Sequence, residues 1–172
     1  MKKRIASLLL ALVMVLSLVP TTVWAAENHD GQVRVVVENT TYAKADGAAW
    51  DGTLVDKWVD LAPGSSMMDC IVSALGTYSQ TGADSGYISE INGLSAGDGG
   101  AASGWMGTLN DWFTNVGFKD IKAGDKLFAG DIIRVMYTTN GYGADIGGDW
   151  NTQSDTSLAA PVSYTHLTLP TT

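Results

Sequence analysis

Histidine is nearly absent from this chain of 172 residues, with His29 close to one end and His166 close to the other. The span between them lacks the usual general base and the commonest zinc ligand, which excludes a Ser-His-Asp set and a histidine-built metal site. Cysteine is scarcer still. Cys70 stands alone, so no internal disulfide can form whatever the redox compartment. Cations are few: 10 Lys and Arg stand against 18 Asp and Glu, a net charge of −8. That balance argues against nucleic acid or an anionic membrane surface as a partner, because both demand clusters of Lys and Arg. A phosphate loop is missing as well, since the glycine-rich stretch 97–104 has no Lys-Ser or Lys-Thr ending.

What is present begins with an export signal. Met1-Lys2-Lys3-Arg4 is a basic start, Ile5–Val19 an apolar core, and Val23-Trp24-Ala25 a small-residue cleavage pattern. The apolar run is shorter than the roughly 20 residues a spanning helix needs, so residues 1–25 read as a cleaved signal and the protein as secreted or surface-attached. No membrane insertion is expected after cleavage. Removing Lys2, Lys3 and Arg4 moves the net charge from −8 to −11. The acids read as a solvated surface; Asp145 to Asp149 is too sparse for the six or more oxygens of a calcium site, and no metal is assigned.

The far end is of another kind. Residues 162–172, containing Tyr164-Thr165-His166-Leu167, resemble the translation of a transposase end sequence used in preparing DNA libraries, and are read as an assembly artefact. Residues 150–161 then read as a linker into further domains of the same chain, with Asp155-Thr156-Ser157-Leu158 similar to the lead-in of a β-sandwich module. The folded part is a single domain over 32–149, preceded by a short segment 26–31.

Within that domain the pattern is strand, strand, helix, then more strands. Gln32–Glu38 is β-branched and suits a central strand; Thr53–Leu61 alternates less cleanly and suits an edge. Ser66 caps a helix, with Asp69 three residues on as its reciprocal partner and Met67, Ile71 and Leu75 in one stripe. Gly76 ends it. Cys70, in these apolar surroundings, reads as a buried structural thiol. Beyond it come the apolar runs Tyr87–Ile91, Trp105–Phe113 and Ile132–Tyr137, expected as a β-meander, with turns at Asn92-Gly93, Gly124-Asp125 and Gly130-Asp131. The class is α+β: a small mixed sheet with one packed helix, similar to a β-grasp arrangement.

The order Ile91-Asn92-Gly93, Gly104-Trp105-Met106, Asn110 and Ala129-Gly130-Asp131-Ile132 resembles the C-terminal β-domain of the transcobalamin and intrinsic-factor proteins. It is also similar to a bacterial family of exported proteins of unassigned function that shares that domain. The resemblance covers Gln32 to Asp149. It implies a module that closes over a corrinoid held by a larger helical domain, with Trp105 and Met106 carrying the motif and the loop Ser95–Ser103 as a rim. Cobalamin enters only as that implied ligand; the residues call for no cofactor. Relatives continue Gly-Trp-Met with an aromatic and then Asn-Gly, whereas this chain has Gly107-Thr108-Leu109-Asn110-Asp111-Trp112, which leaves the position of that hairpin open.

No catalytic residue is assigned, because the acids sit mainly in turns beside glycine and Ser65-Ser66 has no lysine at a catalytic spacing. The chain is read as a non-enzyme, and aromatics carry the binding reading. Trp105 and Tyr137 fall on either a core or a ligand face, with alternation favouring the core. Trp112, Tyr142 and Trp150 lie beside Gly, Asn and Asp in expected loops and suit an exposed patch. Two functions remain: a ligand-binding or ligand-capping module for a small molecule, or an adhesion, glycan-binding or spacer module of a surface protein.

Overall fold

The computed structural model describes residues 28–148. The signal, linker and tail readings, together with Trp150, lie outside these residues.

Strand β1 (Gln32–Asn39) holds three valines, Val33, Val35 and Val37, at alternate positions, and all three are wholly buried. Alternation of this kind is what a strand needs to aim a β-branched set at one face. Strand β2 (Gly52–Asp60) pairs with it antiparallel and forms one edge of the sheet. Helix α1 (Met67–Leu75) follows, and its capping box is complete: the Ser66 hydroxyl accepts from Asp69 N–H at 3.2 Å, and Asp69 Oδ2 accepts from Ser66 N–H at 2.8 Å. Gly76, at φ 61°, ends it. Met67, Ile71 and Leu75 are buried against the β1 and β2 face of the sheet.

Three two-residue strands come next, β3 (Gln80–Thr81), β4 (Glu90–Ile91) and β5 (Leu94–Ser95), and they form a small sheet of their own. Asn92 (φ 48°) and Gly93 (φ 81°) make the tight turn joining β4 to β5, as Asn-Gly chemistry predicts. The main sheet resumes with β6 (Gly104–Leu109), β7 (Trp112–Phe113) and β8 (Ile132–Thr138), giving the order β2-β1-β8-β6-β7. A 3-10 segment, Gly141–Ile146, lies after β8.

The α+β class with a mixed sheet and one helix stands. The simple meander does not. Tyr87–Ile91 leaves the main sheet, and β8 inserts between β1 and β6, parallel to β1 and antiparallel to β6. Gly82 explains the first change: at φ 97° it lets the chain fold back so tightly that a Cβ there would come within 2.1 Å of the Tyr87 carbonyl oxygen. Only Glu90–Ile91 remains free to pair. Burial explains the second. Ile133, Val135 and Tyr137 join the helix-side core while Met136 and Thr138 are buried on the other face, and a strand covered on both faces belongs in the middle of a sheet.

The opposite face is mixed in character. Arg34 makes two bonds of 2.7 Å to the Asp56 carboxylate. Arg134 reaches Glu38 at 3.0 Å, and both side chains are mostly shielded from solvent. Beside them Phe113, Met136 and Ile146 form a small cluster, with Met106 packed against it. Gly143 is required here, since a Cβ would approach the Met106 sulfur to 2.7 Å.

Candidate functional site

The site is built at the edge of the sheet carrying β7. Thr108 and Leu109 of β6 pair with Phe113 and Trp112, leaving Asn110 (φ 51°) and Asp111 (φ 66°) as a two-residue turn. Both residues tolerate positive φ, so Asn-Asp serves where Asn-Gly is the commoner choice. The hairpin is therefore present, two residues past Thr108. Trp112 pairs with Leu109 and is 45% exposed, a large fraction for a tryptophan in a strand.

The turn is clamped to a distant loop by one carboxylate. Asp131 accepts from Asn110 Nδ2 and from the Phe128 N–H, each at 2.8 Å. Asn110 in turn bonds Ile132 through both its side-chain oxygen (2.9 Å) and its backbone N–H (2.8 Å). These bonds hold the 121–128 segment beside the hairpin. Between them lies an open groove of about 530 Å³, with Leu109, Phe113, Val116 and Ile121 supplying apolar lining. Trp112, Thr114 and Lys126 add an indole ring, a hydroxyl and an ammonium group. The volume is in the range that takes a drug-sized ligand. A smaller groove of about 210 Å³ lies beside Trp105 and Met106, walled by Tyr87 and Phe118.

The structure separates the residues that sequence grouped as candidates. Trp105 is 3% exposed and Tyr137 wholly buried, so neither offers a broad face to a ligand. They pack edge to face at 5.1 Å, and Trp50 stacks on Trp105 at 5.7 Å. Their polar tips serve the fold. Trp105 Nε1 donates to the Leu94 carbonyl at 3.2 Å, and the Tyr137 hydroxyl donates to the Ser95 carbonyl at 2.8 Å while accepting from Gly99 N–H at 3.0 Å. The loop expected as a rim, Ser95–Ser103, is thus pinned to the core by Tyr137. Met106 points to the opposite face, and Tyr142 lies within the 3-10 segment. Among the candidates whose burial is described, Trp112 has the exposure expected of a contact residue, although it sits in a short strand and not in a loop.

Sequence reading missed Lys126, Thr114 and Val116, because nothing in their local pattern ties them to Trp112. The link is the Asp131 clamp, and only the Gly130-Asp131 turn hinted at it. Cys70 is buried as expected, and burial, reinforced by the neighbouring Asp69 charge, pushes its thiol up to about 11. Among the described residues no three His, Cys, Asp or Glu side chains converge on a point that would hold a metal, and no helix is long and apolar enough to cross a membrane.

No curated protein matches the chain. From the turn before α1 to the residue after β8, residues 64–139 match the model of a family described as a domain of unknown function, DUF4430.

Proposed function

We propose that this domain is a non-catalytic, extracellular ligand-binding or ligand-capping module, and that the groove beside Trp112 is its contact surface. The observation that carries the reading is the exposed indole of Trp112 over an apolar floor, held in place by the Asn110–Asp131 clamp. A ring left exposed on a rigid hairpin contributes contact area at little entropic cost when a ligand arrives. The likeness to the transcobalamin β-domain suggests a corrinoid. A corrinoid is larger than a groove of about 530 Å³, so this domain would cover one edge of it while a second domain holds the rest.

A second reading, carbohydrate binding within a surface protein, is favoured by the same indole, since a pyranose ring fits the groove whole and stacks on tryptophan. Isothermal titration of the purified protein against cobalamin and against a panel of oligosaccharides separates the two. Saturable binding of either, weakened at least about tenfold by Trp112→Ala, is expected from the loss of an aromatic anchor. Binding of neither class at millimolar concentration, or binding indifferent to Trp112, would refute the assignment.

A further inference from the structure

The Trp112 groove has a chemical bias that its apolar floor conceals. Among the described residues Lys126 is the one charged side chain lining it, and no carboxylate does so. This is unusual for a chain whose acids outnumber its cations by 18 to 10. Arg34 and Arg134 are each tied to acids across the sheet, and Lys119 donates to the Asp84 carbonyl at 2.6 Å. Among the described residues the Lys126 ammonium has no ion-pair or hydrogen-bond partner, and its side chain is exposed at the rim. Asp131, the carboxylate that closes the clamp, has both its oxygens engaged by Asn110 and Phe128.

From these observations, and resting on the ligand-binding reading above, we infer that the groove takes a sugar ring bearing a carboxylate, with the ring on Trp112 and the carboxylate on Lys126. Each part of the ligand has a counterpart. The indole offers a flat apolar face to the C–H face of a pyranose. Leu109 and Val116 extend that apolar contact, and Thr114 Oγ1 supplies a hydroxyl for the ring substituents. Lys126 gives a charge-assisted bond, the strongest single polar contact available there. About 530 Å³ accommodates one or two pyranose rings, and Trp112 and Lys126 line the same groove.

A matched pair of probes tests this: cellobiouronic acid, which carries one carboxylate, and neutral cellobiose, titrated calorimetrically into the full chain at low and high salt. The acidic disaccharide is expected to bind at least about tenfold more tightly than the neutral one, with the preference shrinking as salt screens the charge. Lys126→Gln should remove that preference by weakening the acidic disaccharide far more than cellobiose, while Trp112→Ala should weaken both. Circular dichroism and the urea midpoint confirm that the variants are folded, as expected for surface positions. Equal affinity for the two probes, with both lost in Trp112→Ala, would overturn the acidic preference and leave the binding module standing. Failure of both probes to bind would overturn the inference, and the cobalamin titration would then decide the broader reading on its own.

Discussion

The two faces of the main sheet solve the same burial problem by different means. Under α1 the sheet presents Val33, Val35, Val37, Ile133, Val135 and Tyr137, a continuous apolar surface closed by one amphipathic helix. On the other side the Glu38–Arg134 pair and the Arg34–Asp56 pair share the surface with a satellite cluster under Gly141–Ile146. Non-directional apolar burial gives the first face its stability. The second depends on matched charges, which stabilise only while both partners are present. The candidate site draws on both: at the β7 edge Ile121 of the helix-side core and Phe113 of the satellite cluster line the groove, and two residues of strand leave an aromatic ring uncovered.

Breaking one charge partner gives the largest effect. Arg134→Met leaves Glu38 at 5% exposure without its partner and is expected to cost about 3–5 kcal/mol in urea unfolding. Adding Glu38→Leu should recover part of that loss, because replacing an ion pair with apolar groups is often close to neutral, while Asp111, 3.7 Å from the Arg134 guanidinium, is still left without that partner. No such rescue exists on the helix face. Ile133→Ala there should cost about 4 kcal/mol, whereas Ile146→Ala in the small cluster should cost about 2 kcal/mol, since a site under a single 3-10 segment collapses more readily.

Smaller effects sharpen the contrast. Ser66→Ala removes the α1 cap and should cost about 1 kcal/mol. Acid titration should expose three carboxylates whose folded pKa values lie below the ordinary one. Asp56 is lowered chiefly by its bond from Arg34, and Asp69 by the bonds from the Ser66 backbone and hydroxyl. For Asp145, burial works upward but is outweighed by hydrogen bonds from Thr138 and Thr139. A depressed pKa contributes stability that is present above the unfolded value of about 3.9 and is lost as pH falls through the folded one. The urea midpoint should therefore drop between about pH 5 and pH 2, and Asp145→Asn should lower the neutral plateau while making that drop shallower.

Legibility followed the range of the interactions. The helix was readable because its cap, stripe and stop are all local: Ser66, Asp69, Met67, Ile71, Leu75 and Gly76 fall within eleven consecutive residues. The β4–β5 turn was readable for the same reason, as Asn92 and Gly93 announce their backbone conformation by their own chemistry. Trp112 was picked out for its polar neighbours, and its exposure agrees. The Glu38–Arg134 pair was invisible, because its partners stand 96 positions apart and meet only when β8 lies beside β1.

What the sequence by itself determined is the α+β class, the single capped helix, the central character of β1 and the Asn92-Gly93 turn. Each rests on the steric preferences and side-chain period of a few adjacent residues. Only the tertiary structure decided the strand order, the burial of Trp105 and Tyr137, and the placing of Trp112 and Lys126 on one groove. These depend on which surfaces exclude water from one another, a property of the assembled sheet that no local stretch of chain contains.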